Sequence, residues 1–269
     1  MKRFFLGVTA IAAMLSLSGC EYLDQMLQLA DDASKIVGGT YTDKWANLVN
    51  ETQRDVKVNG NTLTYGDDHT YTIVEDIDVN SKEFNRPTAT VTFSNIPSGY
   101  TEFEAVYNNL LGKSIAGTAA MIPMAMEIYA RNTTTGEKCI KLLCTSGAAS
   151  DMITGVKGKV IPSTTTGNDG YIERFISAAL LKGAKPSNAY APDYPYTVEM
   201  TMTSNGVKES AQEGGKVTYM SIVTSGGWST ANRGVDIFQA NGSSQYKVYG
   251  CAGCYSQCAS ITGTWAGMK

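Results

Sequence analysis

The spacing of apolar positions changes several times along this chain, and each change marks a different kind of segment. The first segment is continuous rather than periodic. Lys2-Arg3 precede an uncharged stretch from Phe4 to Leu17, which runs into Ser18-Gly19-Cys20. That stretch is too short for a permanent transmembrane helix, and its charge order is that of a secretory targeting segment. From Leu23 the spacing turns helical: Leu23, Met26, Leu27, Ala30, Ala33 and Val37 recur at three- and four-residue steps until Gly38-Gly39 stops them. The polar side of this helix carries Asp24, Asp31 and Asp32 against Lys35, so it is expected to pack on protein rather than lie on lipid.

Residues 40 to 99 read as β. Val56 to Leu63 is a hairpin around Asn59-Gly60, and Thr70 to Val79 and Thr88 to Phe93 alternate like half-buried strands. Residues 100 to 182 read as helical. Thr101 is a candidate cap with Glu102 and Glu104 after it, and Phe103, Val106, Leu110 and Leu111 form its buried stripe. Ile115 to Arg131 is apolar almost all round and is expected to be the central helix, with Pro123 either kinking it or marking its start. Shorter helices are expected over Lys138 to Cys144 and Tyr171 to Leu181, with a polar loop from Pro162 to Gly170 between them.

The last third returns to strands: Tyr196 to Met202, Val217 to Thr224, Gly234 to Gln239 and Gln245 to Tyr249. Turns are expected at Ser204-Asn205-Gly206, Ser225-Gly226-Gly227 and Asn241-Gly242, and a final helix over Ala252 to Ser260. The fold class is therefore α+β: a small N-terminal antiparallel β unit, then a domain of helices packed on a C-terminal antiparallel β meander. The expected divisions are a leader at 1–19, an anchor and short helix at 20–39, a β-rich unit at 40–99 and an α+β domain at 100–269.

Charge narrows the function. Without Lys2 and Arg3, 20 basic residues face 25 acidic ones and no basic cluster exists, which argues against nucleic acid and against adsorption to anionic lipid. Leu17-Ser18-Gly19-Cys20 resembles the lipobox of bacterial lipoproteins. The resemblance implies cleavage before Cys20, diacylglyceryl attachment to its sulfur, and a multiply acylated anchor that holds the protein on a membrane persistently. The expected location is the bacterial cell envelope, at the periplasmic face of the outer membrane or the cell surface.

Gly117-Thr118-Ala119-Ala120-Met121, Tyr171-Ile172-Glu173-Arg174, the run Leu181 to Val198 with its Lys182-Gly183-Ala184 and Tyr194-Pro195-Tyr196-Thr197-Val198, and Val223 to Gly227 followed by Arg233-Gly234-Val235 resemble a bacterial domain family of unknown function. The resemblance spans roughly residues 100 to 260. It implies a fold and brings no catalytic residue with it.

Candidate chemistry is sparse. His69, the sole histidine, sits beside Asp67 and Asp68 in an expected solvated turn, and no G-x-S-x-G elbow accompanies it. Gly112-Lys113-Ser114 has Tyr107 where a phosphate loop needs its first glycine. Asp76 to Asn80 resembles the start of a calcium loop, but Ser81 and Pro87 occupy its glycine and bidentate-glutamate positions. Five cysteines remain: Cys139, Cys144, Cys251, Cys254 and Cys258, the last three on one face if helical. Three readings stand: disulfides in an oxidising compartment with one thiol left over, reduced cysteines in the core, or a metal or redox site drawing on Cys-x2-Cys-x3-Cys with Cys139 and Cys144. Tyr190, Tyr194 and Tyr196, set among Pro192 and Pro195, are candidate contacts for a sugar or peptide, against the plainer reading of a connector packed on its own domain. The eleven methionines read as core filling.

The leading expectation is a non-enzymatic envelope lipoprotein with a structural or interaction role. The first alternative is a carbohydrate- or peptide-binding module at Tyr190 to Tyr196, and the second a cysteine-dependent redox or metal protein. No cofactor is expected. The expected partners are the membrane, through the lipid, and an envelope protein or glycan.

Overall fold

Alternation builds the sheet. A computed structural model describes residues 46–74, 88–160, 173–211, 213–261, 265 and 267–269. The expected leader, Cys20, the helix expected from Leu23 and the loop expected from Pro162 to Gly170 lie outside the described residues. The strands β1 (Val56–Asn59), β2 (Thr62–Tyr65), β3 (His69–Ile73) and β4 (Thr88–Phe93) come first. In β2 to β4 buried and less buried positions alternate one by one, so Leu63, Tyr65, Tyr71, Ile73, Val91 and Phe93 face the core. The other face is threonine: Thr62 pairs with Thr72, Thr64 with Thr70 and Thr72 with Thr92. A β-branched hydroxyl residue suits a half-exposed pleat, and Thr62 and Thr72 bond to each other at 3.1 Å.

After the helical region the sheet resumes with β5 (Tyr196–Ser210), β6 (Gly215–Val223), β7 (Asn232–Ala240) and β8 (Lys247–Gly250). β4 pairs antiparallel with β5 from Thr88↔Thr201 to Phe93↔Tyr196. The strands on both sides of residue 100 therefore form one eight-stranded antiparallel sheet in chain order. The fold is α+β, and its two strand groups share that sheet within the unit Asp43–Lys269.

The turn expected at Ser204-Asn205-Gly206 is not a turn. β5 runs through it, with a register shift between Met202 and Val207. Gly206, at φ 57°, supplies the left-handed residue that such a bulge favours. The chain reverses only between Ser210 and Gly215.

Four helices lie between β4 and β5 among the described residues: α1 (Tyr100–Asn109), α2 (Ile115–Arg131), α3 (Thr133–Leu143) and α4 (Ser146–Val160). All 17 residues of α2 are buried, and it touches β4, β7 and β8, so it is the central helix. Pro123 stands inside it rather than at its start. Ser114 caps α2 by accepting from Gly117 N–H at 3.1 Å, and Asn132 caps α3 by accepting from Thr135 N–H at 3.0 Å.

Thr101, expected as a cap, lies within the first turn of α1. Its N–H donates instead to the Glu51 carboxylate at 3.0 Å, an anion placed at a helix N-terminus by a segment preceding the sheet.

Three helical expectations need correction. α4 has no counterpart in the sequence reading, because Gly147, Gly155 and Gly158 lower helix propensity. Gly155 is there for closeness: a Cβ would strike the ring of Tyr255. The helix expected to end at Leu181 is, within the described residues, a series of tight turns closing in a 3-10 turn, Ala178–Leu180. The helix expected over Ala252 to Ser260 is a single 3-10 turn, Ala252–Tyr255, since the backbone beyond it bonds elsewhere. Ser256 C=O accepts from Trp228 Nε1 at 3.2 Å, and Ala259 N–H donates to Gly227 C=O at 2.7 Å. No described helix is long and apolar enough to cross a membrane.

Candidate functional site

Among the described residues two fully buried carboxylates organise the interior. Glu127, on α2, interrupts an otherwise apolar helix and is 0% exposed. The Arg174 guanidinium meets it in a two-pronged contact, Nη1 to Oε2 at 2.6 Å and Nη2 to Oε1 at 2.9 Å. Arg131, one helical turn on, donates Nε to Oε1 at 2.9 Å, and Ser177 donates its hydroxyl to Oε2 at 2.8 Å. Burial alone would raise the Glu127 pKa, but the charges of Arg174 and Arg131 and these hydrogen bonds bring it down to about 2. Arg131 also donates to Met268 C=O at 2.8 Å, and Arg174 stacks over Trp265 at 4.9 Å. The cluster thus joins α2, the turns after residue 173 and the segment around Trp265 and Met268.

Glu102, also 0% exposed, is on α1 beneath the start of β3. It is held by smaller groups. His69 Nδ1 and the Tyr71 hydroxyl each donate to Oε1 at 2.6 Å. Ser98 donates its N–H at 2.8 Å and its hydroxyl at 2.7 Å to Oε2. Burial pushes the Glu102 pKa up, but the hydrogen bonds from His69, Ser98 and Tyr71 outweigh it and hold the group below the usual carboxylate range.

His69 is therefore not a solvated turn residue: it opens β3 and is buried at 9% exposure. Its Nε2 lies 3.9 Å from Asp68, which in turn pairs with Arg54 at the surface. Among the described residues no hydroxyl or thiol nucleophile is placed against Nε2. The arrangement fastens β3 to α1.

The five cysteines are free thiols and all are buried. Burial pushes Cys144 and Cys254 up to about 12 and Cys258 to about 11, so they are protonated and poorly nucleophilic at neutral pH. They do not assemble as one set. Cys139 feels the charge of Glu51, Cys258 interacts with Tyr190, Cys144 and Cys251 both contact Met152, and Cys254 lies close enough to Cys251 to act on it. Among the described residues no three histidine, cysteine, aspartate or glutamate side chains gather as a metal site, so the Cys-x2-Cys-x3-Cys set with Cys139 and Cys144 does not form one.

The tyrosines also separate. Tyr190 is fully buried, stacked on Phe175 at 4.6 Å with its hydroxyl donating to Ala259 C=O at 2.7 Å. Tyr196 is buried beside Phe93. Only Tyr194 is open, at 63% exposure, its ring edge-on to Tyr196 and flanked by Lys269. A three-ring contact surface is thus reduced to one ring.

Glu102, Glu127, Arg131, Arg174 and Ser177 were not singled out as site residues by the sequence, in which Glu102 read only as an acid at a helix start. Glu127 did carry a signal, as the one acid inside an apolar helix, and Arg174 belongs to the Tyr171-to-Arg174 run on which the family resemblance rests.

Fold and interior together define an α+β protein with one open antiparallel sheet, a buried central helix and two carboxylate clusters that tie elements together. The chain belongs to the family described as a domain of unknown function, DUF6935, whose profile matches residues 95–262. No curated protein and no solved structure matches it. The matched span holds Glu102, Glu127, Arg131, Arg174, Ser177 and all five buried cysteines, and leaves out β1 to β4.

Proposed function

We propose that this chain is a lipid-anchored protein of the bacterial cell envelope whose folded body has a structural or interaction role rather than a catalytic one. The observation that carries the reading is saturation: both fully buried carboxylates have their oxygens occupied by donors of the chain itself. Groups engaged in this way hold elements in place and offer no free acid or base to a substrate. The tether in this reading is Cys20, supported by Lys2-Arg3, the apolar run and Ser18-Gly19 before it.

The test is fatty-acid labelling of the full chain in a bacterial host, alongside Cys20→Ser. The expected result is labelled protein in the membrane fraction, beginning at Cys20, with label and membrane association both lost in the variant. Unlabelled wild-type protein that keeps residues 1–19 overturns it.

A second reading, contact with an envelope glycan or peptide, is favoured by the exposed ring of Tyr194. Glycan-array binding that disappears in Tyr194→Ala supports it, and binding unchanged by that substitution removes it.

A further inference from the structure

Sulfur is the one soft chemistry in the interior that the proposed role leaves unused. Cys144 follows α3, Met152 lies within α4 and Cys251 follows β8, so three separate elements converge. Both thiols donate to the same acceptor, the Met152 Sδ, Cys144 at 3.9 Å and Cys251 at 4.0 Å. A metal–sulfur bond of about 2.3 Å, with bonds opened to about 120°, sets neighbouring sulfurs about 4.0 Å apart. The two edges that meet at Met152 have the length a three-coordinate ion would ask of them.

We propose that Cys144, Met152 and Cys251 form a binding site for a soft monovalent cation of the copper(I) class. Thiolate and thioether donors select such an ion, whereas zinc in a structural site asks for four ligands. Binding breaks two S–H bonds and forms three metal–sulfur bonds. The two protons leave to solvent and no electron is transferred. Two thiolates around one monovalent cation leave a single negative charge, which the Lys247 ammonium beside Cys144 opposes. Asp151 and Asp236 act on Cys251 in the contrary sense, so the positive side of the site is the Cys144 side. Met152 is fully buried and the two cysteines are 4% and 3% exposed, which shields a bound ion from water and oxidants.

The test uses the full chain as its host produces it, purified in detergent and titrated with copper(I) without oxygen against a coloured copper(I) chelator. One copper(I) per chain is expected, with an X-ray absorption first shell of three sulfurs at about 2.3 Å. Met152→Leu nearly conserves volume and keeps the core packed. It is expected to show two sulfurs and to bind about tenfold or more weakly, while Cys139→Ala binds like the wild type. A first shell containing nitrogen or oxygen, equal retention in Met152→Leu, or a Cys144–Cys251 disulfide in the isolated protein each overturns the site. The wild-type spectrum decides the matter even if a variant fails to fold.

Discussion

Glu127 and Glu102 are equally buried, yet Glu127 is met by two guanidinium groups and a hydroxyl, and Glu102 by an imidazole, a phenol, a hydroxyl and a backbone N–H. The difference lies in what each leaves behind. Around Glu127 the partners are permanent charges at 2% side-chain exposure, so the carboxylate compensates cations that have no solvent to turn to. Around Glu102 most donors are dipoles, and losing the acceptor leaves unsatisfied hydrogen bonds rather than stranded charges. Equal burial therefore predicts unequal consequences.

The largest effect is expected from Glu127→Ala, which takes the carboxylate away from two buried guanidinium groups and costs about 3–5 kcal/mol in urea unfolding followed by circular dichroism. Replacing the whole cluster, Glu127→Leu with Arg131→Met and Arg174→Met, is expected to recover most of that loss, since apolar groups of similar volume need no compensation. A cost below about 1 kcal/mol for Glu127→Ala, the value of an ordinary hydrogen bond, breaks the comparison.

Acid sharpens it. With the Glu127 pKa brought from 4.5 to about 2, the folded state binds its proton less readily than the unfolded chain. Its contribution is complete above pH 4.5 and is lost as pH falls toward 2, a total of about 3 kcal/mol. Glu102 is lowered as well, so both add slope in the same direction. Glu102→Gln is expected to keep most of the acid-dependent loss of stability, and Glu127→Gln to flatten it. The reverse ranking contradicts the assignment of charge compensation to Glu127.

Next in size is Tyr71→Phe, which removes one of the two donors to Glu102 Oε1 and is expected to cost about 1.5–3 kcal/mol, the range for a hydrogen bond to a charged group. His69 still donates to the same oxygen, which favours the lower end. A cost equal to that of Glu127→Ala places both clusters in one class.

The sheet was largely legible in the sequence, because a period of two over Thr88 to Phe93 or Tyr196 to Met202 is written locally in each strand. Joining the two strand groups was not, since the pairing of Phe93 with Tyr196 crosses the whole helical region. The role of Glu127 inside its apolar helix was not legible, because its main partner, Arg174, is 47 residues away. His69 read as a turn residue because its neighbours are acids, while the group that buries it, Glu102, is 33 residues along. Helix α4 was hidden by glycines whose purpose, at Gly155, is contact with Tyr255. In each case the missing information was a tertiary partner, not a residue preference.

The smallest effect tests whether burial is what ranks these carboxylates at all. Glu137 accepts from Lys141 one turn on along α3 at 3.1 Å, still within hydrogen-bond distance and only slightly longer than the 2.6–2.9 Å contacts at Glu127, but the two side chains are 41% and 62% exposed. In water each charge is already solvated, and fixing two long side chains costs entropy, so Glu137→Gln is expected to lose about 0.3–0.5 kcal/mol. At about 1 M salt, where screening acts within roughly 3 Å, that loss is expected to vanish. The losses at Glu127 and Glu102 are expected to persist in the same salt, because ions do not reach buried partners. A Glu137→Gln cost that rivals Tyr71→Phe, or that salt leaves intact, means pairing distance rather than desolvation sets the order, and the contrast between the clusters loses its physical basis.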